Sequence, residues 1–271
     1  MNPRRPSPRE PQSKILEMLS DFIKIMNTED FHNFLKLRNT GEETNQKYLK
    51  IFKQLKYNKL KSRSKHTIIT LRLVIQYLYY FHNIDLRHYL TLLKVPKSGI
   101  DLFVPSEDQI KDTLERAKRR EDILMVYTIL LASGIRLSEA VLFLGTFKRD
   151  KLIEVDNSIV KYPISALRKT KRIFYIYMPS SIARSLREVN MTRDVVSRYA
   201  IRWNLIRPKY VRKFVAQKMF ELGIDPLVID FIQGRVARSV LARHYLNLSY
   251  LADRQYKKYA EWLNQNFVCY C

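Results

Sequence analysis

The chain has 271 residues, 46% of them apolar, which is the composition of a folded protein long enough for one large domain or two ordinary ones. Lys and Arg number 49 against 26 Asp and Glu, a formal charge of +23 that calls for a polyanionic partner, nucleic acid before an acidic membrane surface. With two Cys, six Gly, no apolar run of transmembrane length and no apolar h-region near Met1, the chain reads as neither disulfide-framed, nor multi-cysteine zinc-binding, nor membrane-spanning, nor secreted; the expectation is a soluble protein in a reducing compartment.

Residues 1–11 carry four Pro and three Arg and read as a flexible basic arm. Residues 12–93 read as helical throughout. A first helix is marked by Ile15, Leu16, Leu19, Phe22 and Ile23, and a second starts at Thr28. A third spans Glu43–Tyr57. Its Tyr48, Ile51, Phe52 and Leu55 share one face, and Lys47, Lys50, Lys53 and Lys56 the other. The fourth, His66–Phe81, is apolar almost all round and is expected to be buried. Nine basic residues and no acid lie between Glu43 and Asp85. A stripe so one-sided reads as a set of phosphate contacts, with a solvated helix face as the plainer alternative.

Residues 94–105 break the helical period at Pro96, Gly99 and Pro105 and read as a linker. Up to Phe103 the chain has 19 basic and 9 acidic residues, and beyond it 30 and 17, so both halves can touch one polyanion. The stretch 106–271 opens with a helix from Ser106 to Ala117. An apolar helix, Ile123–Ala132, ends at Gly134, and Ser138 is expected to cap the next, through Leu144. Three short strands follow at Leu152–Val155, Ile159–Ile164 and Ile173–Tyr177, then helices from Ser180 to about Phe267. The predicted fold is mostly α with a small antiparallel sheet in the second of two domains.

Four constellations carry possible chemistry. In Ser-Gly-Ile-Arg-Leu-Ser-Glu-Ala, 133–140, Arg136 stands on a corner between two packed helices, where a guanidinium suits a bidentate grip on phosphate; pairing with Glu139 is the ordinary alternative. In Leu-Arg-Lys-Thr-Lys-Arg-Ile-Phe, 167–174, Lys169 or Lys171 at a hairpin tip can donate a proton, unless the run is only a solvated basic turn. After Pro208, Lys209 and Arg212 share one face of a starting helix whose free amides favour an anion. Gln-Gly-Arg, 233–235, is followed ten residues after Arg235 by Tyr245, one of 17 tyrosines and on its own an ordinary packing residue.

In this order and spacing the four constellations resemble the boxes of the tyrosine recombinase family, along essentially the whole chain. The resemblance implies an N-terminal helical core-binding domain (12–93) and a tyrosine-recombinase catalytic domain (106–271). It implies catalytic roles for Arg136, Lys171, Lys209, Arg212, Arg235 and Tyr245, with no metal, no other cofactor and no ATP. Lys209 stands where the family usually has His, and Arg235 where it has His or Trp. This form is similar to integrases of archaeal viruses and plasmids, particularly the fusellovirus type, and Lys171 suits that spacing better than Lys169.

By that resemblance the protein is a site-specific recombinase. Arg136 and Arg212 hold the scissile phosphate while Tyr245 attacks phosphorus to form a 3′-phosphotyrosyl bond. Lys171 protonates the leaving 5′ oxygen, Arg235 adds a hydrogen bond, and Lys209, if its pKa is lowered by neighbouring cations, accepts the phenolic proton. Glu139 orients the cations. The implied partners are double-stranded DNA, clamped between the two domains, and further copies of the chain. These form a tetramer on DNA, joined through a C-terminal helix bearing Tyr256, Tyr259, Trp262 and Leu263; docking of that helix on its own domain is the alternative. The implied location is the cytoplasm of a prokaryotic host, on its nucleoid. The rival readings are a catalytically silent DNA-binding or architectural protein of the same fold, and a type IB topoisomerase-like enzyme.

Overall fold

The computed structural model describes residues 10–38, 40–57, 64–96, 99–164, 173–235 and 247–267. The chain divides into two compact units, Met1–Ile100 and Asp101–Cys271. The division falls inside the stretch where Pro and Gly interrupt the helical period.

The first unit is built from α1 (Glu10–Ile25), α2 (Thr28–Leu37), α3 (Glu42–Lys56) and α4 (Lys65–His82), followed by a 3-10 turn at Arg87–Thr91. The Asn27 side chain accepts from the Glu29 amide and caps α2; Ser64 accepts from the Thr67 amide and caps α4. Phe31 stacks on Phe52 at 4.3 Å and meets Tyr77 edge-on at 5.7 Å, so three helices share one aromatic centre. As its composition requires, α4 runs buried from Ile68 to Leu78, but its last turn emerges with Tyr80 and Phe81 exposed. On α3 the lysine face points outward at Lys47, Lys50 and Lys53, while Lys56 folds back to donate to the Met26 carbonyl at 2.6 Å.

The second unit holds α5 (Glu107–Ala117), α6 (Glu121–Ser133), α7 (Leu137–Gly145), the sheet strands β1 (Ile153–Asp156), β2 (Ile159–Pro163) and β3 (Tyr175–Pro179), then α8 (Ser180–Ser185), α9 (Arg193–Arg202), α10 (Pro208–Glu221), α11 (Pro226–Ile232) and α12 (Leu248–Phe267). The fold is therefore mostly helical with one antiparallel sheet in the order β1-β2-β3. Val160 faces Met178 and Tyr162 faces Ile176 across β2 and β3. β3 begins two residues later than the sequence pattern suggests, because Ile173 and Phe174 are apolar for tertiary reasons: Ile173 packs on Gly234 and Phe174 stacks on Phe231.

The apolar α6 has no polar face to offer water and lies at the centre of the unit, with Ile123, Val126, Ile129 and Leu130 fully buried. A helix buried at its C-terminus leaves carbonyls that need donors. The Gly134 amide takes the Leu130 carbonyl. The Tyr259 and Tyr256 hydroxyls, from α12, donate to the Leu131 and Ala132 carbonyls at 2.7 Å each. α12 is fastened a second time at the sheet, where Asp253 accepts from Lys161 Nζ of β2 at 2.6 and 2.8 Å and from the Tyr177 hydroxyl of β3 at 2.7 Å. The face carrying Tyr256, Tyr259 and Leu263 is thus buried in its own unit, because the donors that α6 requires are these hydroxyls. Among the described residues no single helix is long and apolar enough to cross a membrane.

Candidate functional site

The corner between α6 and α7 is set by Gly134, which adopts φ +62°. A Cβ there would stand 2.5 Å from Gln233 Nε2 and 2.9 Å from Val215 Cγ1, so the position needs glycine for space as well as for backbone. Arg136 is the N-cap of α7, two residues earlier than the expected Ser138 cap, and Ser138 lies within the helix. The cap is made by Glu139, fully buried, whose carboxylate accepts from the Arg136 amide at 2.8 Å and from Arg136 Nη1 at 2.9 Å. The Arg136–Glu139 pairing therefore exists, and it holds the guanidinium in place.

The same Nη1 donates to the Gly234 carbonyl at 3.2 Å. Gly234 takes φ +65°, and a Cβ on it would lie 2.7 Å from Ile173 Cβ. Arg212, half-buried on α10, donates to the Gly134 carbonyl at 3.0 Å. The buried Gln233 donates to the Arg212 carbonyl at 3.0 Å, and its Oε1 has no partner among the described residues. Three segments distant in sequence thus converge on two guanidinium groups. Burial first, then the charges of Arg136 and Arg235, pull the Arg212 pKa down to about 10, so it stays charged at neutral pH. Arg235 leans outward on Asp230 at 3.0 Å.

Lys209, exposed on the first turn of α10, donates to Asp101 at 3.0 Å. Lys213 donates to the Asp101 and Phe103 carbonyls, and Tyr210 meets Phe103 edge-on at 4.8 Å, so residues 101–103 lie along α10. The Tyr210 side chain and Asp101 raise the Lys209 pKa above its ordinary value. This reverses the expectation of a lysine lowered by its neighbours to serve as a base, because the nearest charge on it is a carboxylate.

A cleft of about 660 Å³ opens beside these groups, with Arg136, Arg207, Lys209 and Arg212 on its walls. Arg207 is absent from the sequence-based set; its one signal was its place before Pro208 at a helix start. Gln233 was likewise passed over within Gln-Gly-Arg. Lys169 and Lys171 (within 165–172) and Tyr245 (within 236–246) lie outside the described residues, as do Cys269 and Cys271. No group of three or more His, Cys, Asp or Glu able to hold a metal occurs among the described residues.

Residues 102–262 match the family described as archaeal phage integrase. The solved structures to which the chain is similar include a recombinase and an integrase. The crystal structure of XerA recombinase is 15% identical, with 89% of this chain and 98% of that one covered and a TM-score of 0.38. The integrase from mycobacterium phage Brujita is 11% identical, with 85% and 91% covered and a TM-score of 0.40. No curated protein matches the chain.

Proposed function

The chain belongs to the archaeal phage integrase family, and from that premise we propose that it cleaves and rejoins duplex DNA through a 3′-phosphotyrosyl intermediate, integrating or excising a mobile element. The observation that carries this reading is the convergence of Arg136 and Arg212 on one corner, each tied to a glycine carbonyl, beside a cleft open to solvent.

Two guanidinium groups with fixed origins can hold the two non-bridging oxygens of one phosphodiester and stabilise the charge that develops as phosphorus becomes pentacoordinate. Tyr245 supplies the nucleophile. Its oxygen forms the new bond to phosphorus as the bond to the 5′ oxygen breaks, and Lys171 delivers a proton to that oxygen. A phenol of pKa about 10 is mostly protonated at neutral pH; a crowd of cations favours its anion, so the phenol gives its proton to water and attacks as phenolate. Lys209, with its raised pKa, acts here as a charged ammonium on the phosphate and not as the base. Arg235, released from Asp230, adds a further hydrogen bond. The phosphodiester energy is kept in the protein–DNA bond, so rejoining needs no nucleotide.

The exposed Lys47, Lys50 and Lys53 of the first unit contact backbone phosphates, and four copies assemble on paired sites. The test is incubation with nicked suicide duplexes of randomised sequence, followed by denaturing gels and mass mapping. A covalent adduct at Tyr245, lost in Tyr245→Phe, is the expected result. No adduct from a folded protein that binds DNA would mark it as a silent DNA-binding relative. Relaxation of supercoiled plasmid without a preferred site would mark a topoisomerase.

A further inference from the structure

Four cations line the cleft, and three of them are held by the protein. Arg136 has Glu139 and the Gly234 carbonyl, Arg212 has the Gly134 carbonyl, and Lys209 has Asp101. Among the described residues the Arg207 guanidinium has no partner. Its backbone, by contrast, is tightly placed. Arg207 is the N-cap of α10, its carbonyl accepts from the Tyr210 amide at 2.8 Å, and Pro208 fixes the first helical residue. An uncommitted guanidinium on a rigid base, inside a concavity, is arranged for an anion that the chain itself does not supply.

The cleft is also larger than one phosphate group needs. At about 660 Å³ it falls within the ~300–1,000 Å³ that takes a whole organic ligand. Beside the cations it offers Leu137, Ala200 and Ile201, and Ile201, 72% exposed, is open to contact with a ligand. A cleft that joins several cations to apolar side chains suits a nucleotide step of a DNA backbone: phosphate, deoxyribose, phosphate.

We propose that Arg207 binds a second backbone phosphate, adjacent to the one held by Arg136 and Arg212, with Ala200 and Ile201 covering the intervening sugar. The proposal rests on the reading of this cleft as a DNA site. It assigns Arg207 to binding and to fixing the register of the strand; Arg207 takes no part in proton transfer.

Each phosphate neutralised contributes about 0.9 to the slope of log affinity against log salt, so the slope counts contacts. The experiment is anisotropy titration of a random-sequence duplex between about 50 and 200 mM salt. It uses the full chain, Arg207→Gln, Arg207→Lys, and Arg207→Gln placed on an Arg136→Gln/Arg212→Gln background. Arg207→Gln is expected to flatten the slope by ~0.9 in both backgrounds, and Arg207→Lys to keep it. No change in either background overturns the proposal. A change in the wild-type background alone also overturns it, since Arg207 would then share the first phosphate. A wild-type slope near zero would instead overturn the DNA reading itself, so the two failures are distinguishable.

Discussion

The Tyr256 and Tyr259 hydroxyls offer the sharpest test of how the corner is held. Both side chains are fully buried, and each donates at 2.7 Å to a carbonyl in the last turn of α6 that the helix cannot satisfy. Tyr→Phe keeps the ring and removes only the donor. A buried carbonyl left without a partner costs about 1–3 kcal/mol, so the double variant should lose about 2–6 kcal/mol. For a domain of roughly 150–250 residues each kcal/mol is ~2–4 °C, which puts the fall in midpoint at roughly 4–24 °C. The two acceptors are consecutive residues of one helix, so the single effects should couple by ~0.5 kcal/mol or more in a double-mutant cycle. Urea unfolding followed by circular dichroism, with calorimetry alongside, measures both quantities. A double variant within about 0.5 kcal/mol of wild type would refute the argument, because it would mean that water or a relaxed helix end serves those carbonyls equally well.

Two further outcomes follow from the same geometry. Gly134→Ala should cost about 2–5 kcal/mol, the sum of left-handed strain and the clash with Gln233 and Val215. Gly223→Ala, at φ +72° where a Cβ would meet only Lys258 Nζ at an ordinary 3.8 Å, should cost only the strain of ~1–2 kcal/mol; equal losses in urea unfolding would show that the close approach at Gly134 is harmless. Asp101 is held at a pKa of about 2 by Lys209 first and by Lys213 and the Phe103 amide in addition, against 3.8 for the free side chain. The unfolded chain therefore binds more protons in that interval. The stabilising contribution is complete above about pH 4 and is lost as pH falls towards 2. Asp101→Asn should flatten the acid limb of the stability profile there, and superimposable profiles would count against it.

Much of the architecture was legible because short-range rules decide it. The Ser106–Gln109 capping box opens α5 where the pattern places a start, and Gly134 ends α6 in the left-handed conformation that its residue type permits. The cations of the candidate site were legible in order along the chain, and the structure brings Arg136, Arg212 and Arg235 together. The partners were not legible. Lys209 meets Asp101 from 108 residues away, and no local pattern carries that information. Arg207 is one of many arginines until α9 and α10 fold beside it and make a cleft. The apolar face of α12 is plain from its period, but a period states that a face will be buried without stating by whom. The placement of Lys171 and Tyr245, outside the described residues, leaves their meeting with these cations to the adduct assay.

The Lys161–Asp253–Tyr177 fastening bears on how this chain can change over generations. The ammonium is 12% exposed and the carboxylate 25%, so losing either alone strands a mostly buried charge at a cost on the order of 3 kcal/mol. Such a loss is a large part of the margin by which most domains stay folded. Substitution at these positions is therefore expected to come in pairs, through an intermediate that keeps one neutral hydrogen-bonding group in place. In lineages related to this one, residues 161 and 253 should drift together, while the outward lysines of α3, which pair with no carboxylate among the described residues, should exchange with Arg one at a time.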